Sequence, residues 1–170
     1  MWLNREQLRQ RIEEEGLITN YPHLDTQLTP NGFDLTAGEI HEFQGPGRLD
    51  FSNSEREIPD TEPIQPEKKD PGDDYGWWKL GPGAYKVVTN ERVEIPNDLV
   101  GISDPRSSLL RMGAFIANGF WEAGFEGTAE FLLKVENPEG IEIKENARVC
   151  QLAFLEIEEV EEGYDGRYKA

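Results

Sequence analysis

The sequence predicts a mainly β fold, a compact sandwich or barrel carrying a few short helices. Three observations lead there. Short apolar segments recur from Phe33 to Ile157, Gly and Pro clusters punctuate them, and the clearest capped helical pattern lies before Gly16. Short strands between regular turn signals characterise such folds.

The first element is a short helix. Asn4 and Gln7 have capping-box spacing, Leu3 and Leu8 have staple spacing, and Gly16 follows the acidic end. Leu8 and Ile12 give it one apolar stripe, and Leu17 and Ile18 lead the chain into the core. Phe33, Leu35, Ile40 and Phe43 then lie between turn residues. Tyr85–Thr89 follows Gly81-Pro82-Gly83, and Val93-Glu94-Ile95 alternates before Pro96. Segments 115–117, 131–135, 141–143 and 149–157 complete the predicted strands. A second short helix is expected after Ser103, with Asp104 as cap and Pro105 in the first turn, where a missing N–H is harmless. One domain over 1–160 is expected. Residues 55–76, rich in Pro, Asp, Glu and Lys, form a surface excursion, and 161–170 form a tail.

Composition narrows the function. The 170 residues include 34 acidic and 17 basic side chains, for a net charge of −17. That balance argues against nucleic-acid binding, which draws its affinity from Lys and Arg on phosphate. The dispersed acids suit a high-salt cytoplasm, where charge repulsion is screened. No apolar run approaches the roughly 20 residues that span a bilayer, so no membrane partner is expected. Cys150 is the only cysteine, and the start Met1-Trp2-Leu3-Asn4-Arg5-Glu6 has no signal-peptide pattern, so a cytoplasmic location is expected. His23 and His41 are the only histidines, and no ligand spacing for zinc is present.

Against this acidic background, Arg106-Ser107-Ser108 and Arg111 concentrate hydroxyl and guanidinium donors beside the N–H groups of a helix start. Such a start attracts anions, although an ordinary capped surface helix has the same residues. Asp34, at a turn-to-strand junction, and Glu122, between Trp121 and a glycine-bracketed turn, are the acids singled out by context. A solvated loop carboxylate is the plain alternative for each. Together these groups supply the parts of a magnesium–triphosphate site: donors for phosphate oxygens and carboxylates for metal-bound or nucleophilic water.

Five segments in order resemble the dUTPase/dCTP deaminase superfamily, most nearly the archaeal dUTPases of the dCTP deaminase family. They are Pro30-Asn31-Gly32-Phe33-Asp34-Leu35, Pro105-Arg106-Ser107-Ser108-Leu109-Leu110-Arg111-Met112-Gly113, Trp121-Glu122-Ala123-Gly124-Phe125-Glu126-Gly127, the stretch Lys144–Phe154, and Gly163-Tyr164-Asp165-Gly166-Arg167-Tyr168. The resemblance implies a distorted β-barrel or jelly-roll subunit with short helices at the N-terminus and at the Arg-Ser-Ser segment. It also implies a homotrimer with nucleotide sites between subunits. The implied reaction is dUTP hydrolysis to dUMP and pyrophosphate with Mg²⁺, removing dUTP from the nucleotide pool and supplying dUMP for thymidylate synthesis.

Residue by residue, the resemblance gives Arg106, Ser107 and Ser108 to phosphate, with Ser107 nearest the reacting region. Arg111 would reach a site shared with a neighbouring subunit. Glu122 stands where the family usually has an Asp that binds the sugar 3′-hydroxyl and positions water. Phe125 would lie under deoxyribose, and Glu130, Phe131 and Leu132 would offer backbone groups to the base. Gln151 and Asp34 would support the site, with the metal held mainly by the triphosphate and within reach of Asp34 through water. Tyr164, Arg167, Tyr168 and Lys169 would form a closing tail.

Two departures from the family pattern matter. Glu122 is one methylene, about 1.5 Å, longer than Asp. The family's deaminases place a glutamate five residues after the turn glycine matching Gly127, and here that residue is Leu132. Counting back from Asn137 gives Lys134 instead. Glu130 lies two strand steps, about 6.6 Å, from Leu132. Pyrophosphate release is therefore favoured over deamination. A dCTP deaminase or bifunctional enzyme, and a non-catalytic nucleotide-binding trimer, are the alternatives.

Overall fold

The structure is a computed structural model that describes residues 1–168. Its elements are α1 (Arg5–Glu15), β1 (Ile18–Thr19), α2 (Leu24–Gln27), β2 (Leu28–Thr29), β3 (Gly32–Gln44), β4 (Asp60–Pro63) and β5 (Trp77–Leu80). They continue with β6 (Gly83–Glu94), β7 (Leu99–Pro105), α3 (Ser107–Arg111), β8 (Ala114–Ala117), β9 (Glu126–Val135), β10 (Ile141–Lys144) and β11 (Arg148–Glu156).

The helix at the N-terminus forms as its caps dictate. Asn4 accepts from the Gln7 N–H, the Gln7 side chain returns the bond, and Gly16 ends the helix at φ 74°. Leu8 and Ile12 are its buried residues. From there the chain is mainly β, as predicted. The main sheet runs β7-β11-β3-β6-β9-β8, with β1 on β6 and β2 and β4 on β3; β10 pairs with β5 separately. Every ladder is antiparallel. The Gly101–Trp121 bridge joins edge strand β7 to the segment following edge strand β8, curling the sheet toward a barrel. Inward residues alternate along β9, where Ala129, Phe131, Leu133 and Val135 are buried. They meet Phe33, Leu35, Val87, Leu152 and Phe154 in one core.

Three expectations about elements need correction. Asp104 and Pro105 belong to β7, because β11 pairs through them at Gln151 and Cys150. Helix α3 therefore starts two residues later, with Arg106 at its N-cap and no side-chain cap bond. The segments 85–89 and 93–95 are not separate strands: β6 runs through both as far as Glu94, interrupted by a register shift against β9 between Val88 and Arg92. The 55–76 excursion is not wholly irregular either. It contains β4, and Ile64 accepts a hydrogen bond from the buried Trp78 indole at 2.8 Å. No helix among the described residues is long and apolar enough to cross a membrane.

Candidate active site

Adjacent strands β3, β11 and β7 place Asp34, Gln151 and Asp104 side by side, with Arg106 immediately beyond β7. Asp34 is not the solvated loop acid of the plain reading. It sits in β3 with 1% exposure, and its Oδ2 lies 3.1 Å from Arg106 Nε and 3.2 Å from Arg148 Nη1. Burial raises the Asp34 carboxyl above the ordinary carboxylate range, and the Arg106 and Arg148 guanidinium groups act against that rise. Arg148 also donates to the Thr26 carbonyl at 2.8 Å. Gln151 donates to Thr29 Oγ1 at 2.7 Å, tying the late strand to the turn before Gly32.

Arg106 is only about a third exposed, so its side chain is oriented from beneath by Asp34. Its amide donates to the Val149 carbonyl at 3.0 Å, and its carbonyl receives the Leu109 amide at 2.9 Å. Those bonds set the turn that presents Ser107 and Ser108, both exposed, at the start of α3. The first N–H groups of a helix have no intrahelical acceptor. One arginine, two hydroxyls and free amides thus share a short surface segment. Arg111, in the last turn, is exposed.

A second group of predicted residues surrounds the turn after Trp121. Trp121 is buried, and its indole donates to Ser103 Oγ at 2.9 Å. Glu122 is exposed, and its carbonyl accepts the Phe125 amide at 3.1 Å. Phe125 is held edge-on by Trp121 at 5.5 Å between ring centroids and contacts Tyr164 at 5.9 Å. Tyr164 is therefore docked on its own chain's turn, with its amide donating to the Ala123 carbonyl at 2.7 Å. Gly124, at φ 80°, permits this approach: a Cβ there would lie 2.7 Å from the Gly163 Cα. Arg167 and Tyr168 are exposed beyond this contact, and Lys169 lies outside the described residues.

The expected base-binding stretch lies on β9. Strand β8 pairs only as far as Ala117 opposite Leu132, so no described strand covers the outer edge of β9 from Glu126 to Phe131. The Phe131 side chain is buried in the core, leaving its backbone as the group available there. Glu130 shares the outer face with half-buried Leu132 and lies 3.2 Å from Lys86 Nζ.

Among the described residues no group of three or more His, Cys, Asp or Glu side chains is arranged to hold a metal ion. Asp34 serves both arginines through Oδ2, while its buried Oδ1 has no hydrogen-bond partner among the described residues. His23 caps α2, and His41 lies 2.7 Å from Glu39.

Residues 2–157 match the model of a family described as dCTP deaminase-like. This chain belongs to the dCTP deaminase-like family. It is 41% identical over 167 residues to an Archaeoglobus fulgidus protein named probable deoxyuridine 5′-triphosphate nucleotidohydrolase, spanning 98% of this chain and 95% of that one. It is 37% identical over 145 residues to the deoxyuridine 5′-triphosphate nucleotidohydrolase of Methanocaldococcus jannaschii, spanning 85% and 88% of the two chains. A Halobacterium salinarum protein named probable deoxyuridine 5′-triphosphate nucleotidohydrolase is 36% identical over 148 residues, spanning 87% and 86%. The 2′-deoxycytidine 5′-triphosphate deaminase of Agrobacterium tumefaciens shares the fold at a TM-score of 0.60 and 19% identity. The match covers 90% of this chain and about half of that one, 47%.

Within this family member, sequence reading missed Arg148, which completes the Asp34 cluster, and Glu91, a carboxylate with 0% exposure. A signal for Glu91 existed. Thr89-Asn90-Glu91 interrupts the apolar alternation between Val87 and Val93, as a polar bulge would.

Proposed function

We propose that this chain is a dUTP diphosphatase that hydrolyses dUTP to dUMP and pyrophosphate. The family and its relatives' names leave two chemistries, diphosphate release and deamination. The observation that favours the first is Leu132 at the place where the family's deaminases have a catalytic glutamate. Glu130 does not replace it, because it lies two strand steps away with Lys86 beside it.

Water attacks the α-phosphorus, the bond to the β-phosphate bridging oxygen breaks, and pyrophosphate leaves. Glu122, exposed and tethered by the Phe125 turn, orients the water and takes its proton. Arg106, Ser107, Ser108 and the first amides of α3 hold the phosphate oxygens as their charge grows. Losing one such pre-placed donor costs around 100- to 1,000-fold in rate. Mg²⁺ would come with the triphosphate as part of the substrate and would offset charge on the phosphate oxygens. Phe125 lies under the deoxyribose and excludes a 2′-hydroxyl. The open edge of β9 reads uracil, whose O4 acceptor and N3 donor are reversed in cytosine. A mismatched pair would be buried unsatisfied.

The active assembly is a homotrimer with Arg111 reaching a neighbour's site. The resemblance of the Arg106–Arg111 segment to the family's phosphate-binding segment supports this reading, with Arg111 exposed at the end of α3. The product, dUMP, supplies thymidylate synthesis. Incubation with dUTP and with dCTP in Mg²⁺, with pyrophosphate and ammonia assayed separately, tests the proposal. Pyrophosphate from dUTP without ammonia from dCTP is expected. Ammonia release, or no product from either nucleotide, would overturn it.

A further inference from the structure

We propose that Glu91 is a positioning residue of the phosphate site, fixing Asp34 and through it the guanidinium group of Arg106. The role rests on the reading of Arg106 as a triphosphate ligand. Glu91 lies on β6 within the register shift between Val88 and Arg92, on the buried face that alternates through Val87, Thr89, Glu91 and Val93. It is completely buried, and among the described residues it has no ion-pair partner. Every group that bonds its carboxylate is a donor. Oε1 accepts from Gln27 Nε2 at 2.7 Å and from Thr36 Oγ1 at 2.7 Å, and Oε2 accepts from the Thr36 amide at 2.9 Å. Only a carboxylate meets all three with two acceptor oxygens and no N–H of its own. A glutamine here would turn its amide hydrogens toward a donor and leave a buried polar group unpaired.

These contacts converge on the segment that presents Asp34. The Gln27 amide that bonds Glu91 also donates to the Asp34 carbonyl at 2.9 Å. Thr36 is two residues after Asp34 on β3, so the two side chains share one face of the strand. Glu91 thus grips that segment at the Asp34 carbonyl, through Gln27, and again at Thr36. Thr36 is also the cross-strand partner of Arg148, whose guanidinium bonds Asp34 and the carbonyl of Thr26, the residue before Gln27. On the far side, Asn90 donates to Thr36 Oγ1 at 2.8 Å and to Asn146 Oδ1 at 2.8 Å, fixing the hydroxyl rotor toward Glu91. One connected set of hydrogen bonds therefore runs from Glu91 to the carboxylate that orients Arg106. Such a network holds a group more tightly than isolated pairs do.

The test is calorimetric binding of two probes, inorganic tripolyphosphate with Mg²⁺ and deoxyuridine, to the full chain and to Glu91→Gln. The expected result is at least tenfold weaker tripolyphosphate binding with less than a twofold change for deoxyuridine. In an Arg106→Ala background, Glu91→Gln should add less than twofold, because both changes act through one group. With dUTP, KM should rise more than kcat falls. Equal weakening of both probes, unchanged tripolyphosphate binding, or full additivity with Arg106→Ala would overturn the role. If circular dichroism shows Glu91→Gln unfolded, Gln27→Met carries the test. It cuts the link to Asp34 and leaves Thr36 on Glu91; it should weaken tripolyphosphate binding at least threefold, and no change would overturn the role. A wild type that binds tripolyphosphate in this pattern but releases no pyrophosphate from dUTP refutes the proposed reaction and leaves the positioning role standing. A wild type that binds no tripolyphosphate refutes the role.

Discussion

Asp34 Oδ2 lies 3.1 Å from Arg106 Nε, a buried carboxylate beneath a partly exposed guanidinium. With Arg148 on the same oxygen, the cluster has a formal charge of +1 in a chain of −17. It gives phosphate a local attraction that the molecule as a whole opposes. Asp34→Asn leaves two cations facing one another. Breaking a fully buried pair costs about 3–5 kcal/mol, and the one-third exposure of both arginines reduces that by solvent screening. A loss of about 1–3 kcal/mol in denaturant unfolding is expected, with at least a tenfold fall in pyrophosphate release from dUTP. Wild-type values for both would remove Asp34 from the site's support.

Ser107 and Glu122 are exposed and lie outside the core. Ser107→Ala and Glu122→Gln should each lower dUTP turnover at least tenfold while changing stability by no more than about 0.5 kcal/mol, as surface substitutions do. Turnover assays beside thermal unfolding check both numbers, with sedimentation to show that any trimer persists. Wild-type rates in both variants would leave the proposed chemistry without its water-orienting and phosphate-side groups.

The tail contact depends on two facing glycines. A Cβ on Gly163 would come 2.5 Å from Asn97 Oδ1 and 2.9 Å from the Gly124 Cα. Gly163→Ala should lift Tyr164 from Phe125 and speed hydrogen exchange of the Tyr164 amide, now bonded to the Ala123 carbonyl, by at least tenfold. If discrimination between dUTP and UTP depends on a clamped Phe125, that ratio should fall with it. Unchanged exchange would show that the glycine pair does not control docking of this segment.

Burial raises the carboxyls of both Asp34 and Glu91. A group whose folded pKa exceeds its unfolded value binds more protons when folded, so its contribution to stability falls as pH rises through that interval. The stability difference between wild type and Glu91→Gln should therefore shrink as pH rises from about 4, the ordinary carboxylate range, toward neutrality. Unfolding free energies across that range measure it. A difference that grows with pH would mean that donors from Thr36 and Gln27 outweigh desolvation.

The legible parts of this fold were those decided by neighbours in sequence. Asn4, Gln7 and Gly16 act within one helix, so their spacing determined its limits. The alternating run in 131–135 likewise predicted an inward face. Asp104-Pro105 misled because a local helix-start signal was overridden by pairing with Gln151 and Cys150, more than 40 residues away. The Arg-Ser-Ser segment and Asp34 were both recognisable in the sequence, but the pairing of that carboxylate with Arg106 and Arg148 was not. Asp34 acquires its role only when Arg148, 114 residues later, crosses it. Glu91 was hidden for the same reason, since Gln27 and Thr36 reach it from other elements.

The most direct measurement is a crystal structure of the protein with a non-hydrolysable dUTP analogue and Mg²⁺. The account predicts phosphate oxygens on the Arg106 guanidinium, the Ser107 and Ser108 hydroxyls and the first amides of α3, with Glu122 beside the α-phosphate and uracil at the open edge of β9. An analogue bound elsewhere, with the Arg106–Ser108 segment contacting solvent alone, would contradict it.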